Sequence, residues 1–289
     1  METRRLGETD LEVSALGFGC GAVGGLLVKG EFCAMVEAVA RAIELGVTYF
    51  DTAAIYGDGQ SEASLGRVLE ELNAEVLVGT KVRLRGEEME QIERAVFASV
   101  EKSLQRLRME RVDLIQLHNS VAQARDPERA WVGVEDVPVV ARAFKRLQEQ
   151  GKVRYWGING LGERSALHQV VKTAGAQSIQ CCYNLLNPSA GVRVPEGFPF
   201  QNYGQLIDRA AEKGMGVIAI RVLAAGALSG SAARHPNAAQ AVDPIATSAS
   251  FEGDVARAQR LDFLVREGYA GSLVEAAIRF AVAKPEVST

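Results

Sequence analysis

The sequence predicts an α/β fold, a (β/α)8 TIM barrel that occupies residues 1–289 as a single domain. Short apolar runs alternate with amphipathic segments of helical period, and the runs are apolar on both faces, as buried parallel strands are. Seven such strand signals precede the last helix, which favours a closed barrel over an open doubly wound sheet. The glycines of GFGCGAVGG lead into a loop, so the dinucleotide fingerprint of the open fold lacks its helix.

The elements follow one another in a regular order. RRLGETDLEVS predicts an N-terminal hairpin, and the strand signals after it are SALGFGCGA, VTYFD, EVLVGTKV, VDLIQLH, KVRYWGIN, SIQCCYN and GVIAIRV. Several intervening helices end with a glycine near a basic residue, as at Gly151 and Gly214.

The last part of the chain departs from this alternation. Residues 223–253 show no strong helix or strand pattern, and loops of that length are usually functional. A helix over about 254–266 and a second one, SLVEAAIRFAVAKP, come next. The chain ends at Thr289, inside the expected eighth strand, so we expect the eighth strand and helix to be missing or incomplete.

Composition excludes several classes of partner. The net charge of -4 gives no reason to expect nucleic acid or an anionic membrane, and no apolar run could cross a bilayer. The polar N-terminus lacks a signal core, and the four cysteines lack CxxC spacing, so we expect free thiols and a cytoplasmic location. The three histidines have no metal-ligand spacing. The oligomeric state is left open.

Polar side chains stand at the predicted carboxyl ends of the strands, the edge where barrel proteins place their active sites. Asp51 stands at the end of the second strand, and Tyr56 lies on the loop after it. Lys81 and His118 stand at the ends of the third and fourth strands. Each has an ordinary alternative: a loop cap, a packed ring, a lysine reaching solvent, a histidine capping a strand.

Taken together, these four residues suggest proton chemistry. A lysine inside a barrel is costly unless it is paired, and Asp51 on the neighbouring strand is its expected partner. A nearby ammonium favours the charged form of a phenol, and a histidine can hydrogen-bond the phenol or a substrate oxygen. The predicted assembly is a tuned general acid that protonates a carbonyl oxygen.

The chain resembles the aldo-keto reductases over nearly its whole length. The matching segments are LGFGCG, FDTAAIYGDGQSEASLG, VGTKV, DLIQLHN, GKVRYWGIN, SIQCCYNLLNP and LAAGALSG. This resemblance implies a barrel plugged by the hairpin, and a reaction that reduces aldehydes or ketones with NADPH. It also implies that Tyr56 is the proton donor, that Lys81 and Asp51 tune it, and that His118 orients the carbonyl.

The same resemblance implies a set of cofactor contacts. Gln180 is expected to hold the nicotinamide carboxamide with Asn159 beside it, and Asp51 lies next to them. The backbone near residues 223–228 is expected to touch the pyrophosphate, since closely spaced N–H groups form anion sites. The full set of implied cofactor-binding residues is Gly19, Cys20, Gly21, Asp51, Asn159, Gln180, Ile220, Arg221, Leu223, Gly226 and Leu228.

The sequence departs from the family pattern at two positions in this set. Asn159 is followed by Gly160 where the family often has Ser-Asn, and Ile220-Arg221 stand where many members have an aromatic that stacks on the nicotinamide. Two other functions stay open: a nucleotide-binding or regulatory protein with a weak site, and a phosphate-handling barrel enzyme. The second would want a phosphate loop after strands seven and eight.

Overall fold

The strands of the computed structural model, which describes residues 1–289, form one main parallel sheet and two small sheets. The main sheet has seven strands in the order β11-β10-β9-β6-β5-β4-β3. In chain order the strands are β1 (Thr3–Arg5), β2 (Glu12–Ser14), β3 (Phe18–Gly19), β4 (Tyr49–Asp51), β5 (Leu77–Val82), β6 (Val112–Leu117), β7 (Val121–Ala122), β8 (Val132–Gly133), β9 (Val153–Asn159), β10 (Ser178–Cys182) and β11 (Gly216–Ile220).

Helices connect successive strands of the main sheet. They are α1 (Leu26–Lys29), α2 (Phe32–Glu44), α3 (Gln60–Leu72), α4 (Ile92–Leu107), α5 (Val137–Glu149), α6 (Arg164–Thr173), α7 (Leu206–Ala211), α8 (Phe251–Gln259), α9 (Phe263–Arg266) and α10 (Leu273–Val282), with 3₁₀ turns at Gly86–Glu90 and Ala224–Ser229. The long helices are amphipathic, and residues such as Val39, Val68, Val100 and Phe144 share one continuous core with the sheet. None of the helices combines the length and apolar character that crossing a bilayer requires.

The N-terminal hairpin covers the end of the sheet where the strands begin. β1 and β2 pair antiparallel, and three buried side chains between and on them, Leu6, Leu11 and Val13, pack against interior residues of β4, β6 and β11. The Glu8 N–H donates to the carbonyl of Gly214, just before β11, at 2.8 Å. The hairpin therefore closes the amino ends of the strands and leaves the carboxyl ends open for a site.

The start of an eighth strand is present beside β11. Val287 forms a parallel bridge with Val217, and the N–H of Ser288 donates to the Val217 carbonyl at 2.8 Å. The Thr289 carbonyl accepts from the N–H of Ala219 at 2.8 Å. The predicted barrel class is confirmed as a curled sheet of seven parallel strands, and residues 287–289 lie hydrogen-bonded beside β11.

The segment after β11 is more ordered than its composition suggests. Residues 224–229 form a 3₁₀ turn, although the sequence predicts no regular element there. The helix expected over 254–266 is split into α8 and α9, and α8 begins earlier, at Phe251. The side chain of Ser250 accepts a hydrogen bond from the N–H of Gly253, which is a local cap that fixes the earlier start.

Candidate active site

A cavity of about 920 Å³ lies at the carboxyl ends of the strands. Asp51, Tyr56 and His118 line it, and Lys81 lies buried behind Tyr56. The strand registers explain this convergence, because β4 pairs with β5 and β5 pairs with β6 so that their ends meet at one edge. The four residues that the sequence analysis selected are therefore brought together.

Lys81 and Asp51 form a buried ion pair. The Lys81 Nζ donates to Asp51 Oδ2 at 2.5 Å and to the Thr52 carbonyl at 2.6 Å, and the lysine side chain is only 1% exposed. Burial alone would lower the pKa of Lys81, but the neighbouring Asp51 and Tyr56 outweigh it and raise that pKa. The lysine is thus held as an ammonium inside the barrel.

The hydroxyl of Tyr56 lies beside this ammonium. Lys81 Nζ is 3.4 Å from Tyr56 Oη and 4.9 Å from the centre of its ring. The imidazole of His118 meets the same ring edge-on, with ring centres 5.7 Å apart and planes at 86°. A phenol with a cation behind it and a cavity in front of it is placed to exchange a proton with a bound molecule.

His118 is held in its neutral form. Burial lowers the pKa of His118 well below its ordinary value of 6.5, and the positive charges of Lys81, Arg83 and Arg85 lower it further. Its Nδ1 is buried without a hydrogen-bond partner. A neutral imidazole that lines a cavity offers a donor N–H without adding a charge.

This shift predicts how stability depends on pH. Below about pH 6.5 the unfolded chain binds a proton at His118, whereas the folded chain keeps the imidazole neutral. The free energy of unfolding is therefore unaffected by His118 above that pH and decreases as the pH falls below it. We expect His118 to contribute a slope of up to about 1.4 kcal/mol per pH unit to the free energy of unfolding below pH 6.5. Urea unfolding at several pH values should show a shallower slope in His118→Gln. An unchanged slope in that variant would contradict this account.

The two amide side chains expected to hold the nicotinamide, Gln180 and Asn159, already make hydrogen bonds within the protein. Gln180 donates from Nε2 to Asp51 Oδ1 at 2.7 Å, so that its amide N–H₂ supports the ion pair. Asn159 donates from Nδ2 to the His118 carbonyl at 3.0 Å, while its Oδ1 is buried with no partner. An amide oxygen without a partner can accept a hydrogen bond from an N–H donor such as that of a carboxamide.

The other expected cofactor residues divide into two groups. Nine of the eleven predicted residues line the cavity: Gly19, Gly21, Asp51, Asn159, Gln180, Ile220, Arg221, Leu223 and Gly226. Cys20 and Leu228 do not line it, because their side chains are buried in the protein interior, and Cys20 Sγ instead lies 3.7 Å from the Phe18 carbonyl.

The backbone after β11 is unusually bent where the sequence suggested a phosphate contact. Arg221, Ala224, Ala225 and Gly226 all have positive φ, at 57°, 47°, 59° and 105°. Left-handed conformations are unfavourable for residues with a β-carbon, so three of these positions store strain of the kind found at ligand sites. The N–H groups of Ala224 and Gly226 donate to the carbonyls of Arg221 and Leu223, both at 2.8 Å, so the turn itself satisfies these two donors.

Sequence reasoning missed the support of Asp51 by Tyr49. The buried Tyr49 hydroxyl donates to Asp51 Oδ1 at 3.0 Å, and burial raises the pKa of Tyr49 well above 10, with Asp51 adding to it. A β-carbon at Gly79 would lie 2.2 Å from Tyr49 Oη, so glycine makes room for this hydroxyl. The glycine before Thr80-Lys81 was the available signal.

It also missed residues from the long segment after β11. Arg234 and Phe251 line the cavity, and the Arg234 guanidinium donates to the carbonyls of Ala225 at 2.9 Å and Val23 at 3.3 Å. The Ala239 N–H also donates to the Val23 carbonyl at 3.2 Å. The segment therefore crosses the cavity mouth to the loop after β3, a path that no local pattern reveals.

The fold and this site define a parallel α/β barrel protein with a buried lysine–carboxylate pair behind a cavity-lining phenol. A sequence model of the family described as "Aldo/keto reductase family" matches residues 15–289. The chain belongs to the aldo/keto reductase family.

Several relatives and solved structures are similar to this chain. It is 27% identical to an uncharacterized oxidoreductase, YqkF, of Bacillus subtilis over 65% of the chain and 58% of that protein. It is 33% identical to L-galactose dehydrogenase of Arabidopsis thaliana over 56% of the chain and 49% of that protein. The chain thus spans about half the length of these two relatives.

The structural matches are longer. The holo form of an aldo-keto reductase from Bacillus halodurans, AKR11C1, superposes with a TM-score of 0.67 at 25% identity, covering 100% of this chain and 85% of that one. A glycerol dehydrogenase of Gluconobacter oxydans, AKR11B4, shares the fold with a TM-score of 0.71 at 24% identity, over 99% and 84% of the two chains.

Proposed function

We propose that this chain reduces aldehydes or ketones to alcohols with hydride from NADPH, with Tyr56 as the proton donor. The observation that carries the proposal is the ammonium of Lys81, paired with Asp51 and 3.4 Å from Tyr56 Oη at the edge of the cavity. Membership in the aldo/keto reductase family supports the reaction class.

The residues divide the chemistry as follows. A bound reduced nicotinamide would supply the hydride that adds to the carbonyl carbon. Tyr56 donates its proton to the carbonyl oxygen, and the Lys81 ammonium stabilises the phenolate that remains. His118, neutral, donates a hydrogen bond that orients the carbonyl oxygen. Asp51 keeps Lys81 in place, with Tyr49 and Gln180 holding the carboxylate.

The cavity supports a nicotinamide nucleotide as cofactor. The orphaned Oδ1 of Asn159 would accept from the carboxamide, and the side-chain oxygen of Gln180 would contribute a second acceptor. The backbone near Leu223 and Gly226 and the side chain of Arg221, all in the cavity wall, would hold the pyrophosphate. The choice of NADPH over NADH follows the family resemblance.

The compartment and the substrate are proposed on coarser grounds. All four cysteines are free thiols, which supports a reducing compartment such as the cytoplasm. A relative named methylglyoxal reductase, from Escherichia coli, is 30% identical over 167 residues and supports a small carbonyl compound as substrate.

The test is consumption of NADPH, and separately of NADH, with a panel of aldehydes and ketones. We expect NADPH absorbance to fall only when a carbonyl compound is present, with one equivalent of alcohol formed per NADPH. Nucleotide binding without consumption across the panel would reject the reductase and favour a nucleotide-binding or regulatory role. A putative voltage-gated potassium channel subunit beta of Schizosaccharomyces pombe is 32% identical over 65% of this chain.

A further inference from the structure

Arg83 occupies the cavity wall next to the residues that handle the proton. It follows Val82, the last residue of β5, and lies two positions after Lys81, so its side chain leaves the strand on the same face. The N–H of His118 donates to the Val82 carbonyl at 2.7 Å, which places Arg83 and His118 at adjoining strand ends. Arg83 lines the cavity.

The guanidinium of Arg83 has no partner in the protein. It makes no hydrogen bond or ion pair, and its Nε is buried without an acceptor. The other two cavity arginines are engaged: Arg234 donates to three backbone carbonyls, and Arg221 donates to the Asp243 carbonyl at 3.3 Å. A buried N–H without an acceptor is destabilising, and ligands commonly satisfy such groups.

The charge of the cavity also favours an anion at this point. Asp51 is the only side-chain carboxylate in the lining, and Lys81 neutralises it at 2.5 Å. Arg83, Arg221 and Arg234 then leave the cavity positively charged. The pyrophosphate is proposed to lie beside Arg221 and the bent backbone after β11. Arg83 follows β5, which is separated from β11 by β10, β9 and β6 in the sheet.

We propose that Arg83 binds an anionic oxygen group, a carboxylate or a phosphate monoester, carried by the carbonyl substrate. The inference rests on the proposed function, since it places the anion on the molecule that Tyr56 protonates. The planar guanidinium pairs with either anion through two parallel N–H···O bonds, which fixes the substrate's orientation as well as its charge. Arg83 then acts as a specificity-determining residue of the cavity.

The test compares each anionic substrate with a neutral counterpart. Succinic semialdehyde and its methyl ester differ in one charge, and glyceraldehyde 3-phosphate and glyceraldehyde form the phosphate pair. We expect the wild-type protein to prefer the anionic member of at least one pair, and Arg83→Gln to lower kcat/KM for that member by about 10- to 100-fold. The neutral members should change little, and the responding pair identifies the anion.

Matched variants separate direct contact from general electrostatics. Arg85→Gln removes the same charge two residues away, from an exposed side chain outside the cavity lining, and should leave both pairs unchanged. Arg83→Lys keeps the charge without the fork and should retain part of the preference. Because Arg83 makes no hydrogen bond, its replacement should not lower the melting temperature. Equal losses for anionic and neutral substrates would overturn the inference.

A binding measurement distinguishes failure of this inference from failure of the reductase proposal. Calorimetric titration of 4-hydroxybutanoate, with and without NADP⁺, needs no turnover. Binding by the wild-type protein and by Arg85→Gln, but not by Arg83→Gln, supports the anion site even if no carbonyl compound is reduced. The anion site is refuted if turnover shows no preference for the anionic substrates and calorimetry shows no difference between the wild-type and Arg83→Gln proteins. That holds whether both proteins bind 4-hydroxybutanoate or neither does.

Discussion

Replacing Tyr56 by phenylalanine is expected to lower kcat/KM for aldehyde reduction by about 10²- to 10⁴-fold, the usual contribution of a positioned general acid. The substitution removes only the hydroxyl that lies 3.4 Å from Lys81 Nζ and leaves the ring that packs edge-on against His118. Folding and nucleotide binding should therefore survive. Steady-state NADPH consumption and NADPH fluorescence titration measure the two effects separately.

The control for this variant is Tyr269→Phe. Tyr269 is an exposed phenol that does not line the cavity, so its loss should leave turnover and nucleotide binding unchanged. Undiminished turnover in Tyr56→Phe would refute the assignment of the proton donor. Loss of nucleotide binding together with turnover would instead show that the hydroxyl serves the cofactor.

Replacing Asp51 by asparagine is expected to lower the free energy of unfolding by about 3–5 kcal/mol, the cost of leaving one partner of a buried ion pair uncompensated. The Lys81 ammonium would keep the Thr52 carbonyl and Tyr56 Oη as neighbours but lose its only counter-charge. Chemical denaturation at neutral pH measures the effect. Activity should fall as well, because the cation that stabilises the phenolate is no longer held charged.

Two further variants show whether the lost charge is the cause. Glu44→Gln removes a carboxylate from an exposed pair with Arg41 and should change stability by less than about 1 kcal/mol. The double variant Asp51→Asn with Lys81→Met removes both charges and should recover much of the stability without recovering activity. Equal destabilisation by the single and double variants would rule out charge burial as the source.

The fold class was predictable because each strand carries its own signal. Strands that are apolar on both faces must be covered by helices on one side and by packed side chains on the other. The alternation of such strands with amphipathic helices therefore indicates the barrel class. The split of the helix expected over 254–266 and its earlier start at Phe251 were not predicted, although the cap at Ser250 was visible in the sequence. Element ends depend on such single contacts.

The site was predictable to the extent that strand ends converge. Asp51, Lys81 and His118 each lie within one residue of a strand end, and parallel neighbours bring those ends together wherever the chain between them runs. The partners of these residues were not predictable in the same way. Gln180, expected on the nicotinamide, also donates to Asp51, although β10 and β4 are not neighbours in the sheet, and the Cys20 side chain is buried. Such contacts depend on which side chains meet across the interior.

By itself, the sequence determined the parallel α/β class and the identity of the four residues at the carboxyl ends, since periodicity and strand order are local properties of the chain. Only the tertiary structure decided that Lys81 is fully buried behind Tyr56, that residues 234–239 cross to Val23, and that Arg83 is left without a partner. Those outcomes depend on which groups from distant segments approach within hydrogen-bond distance, a quantity that no local pattern encodes.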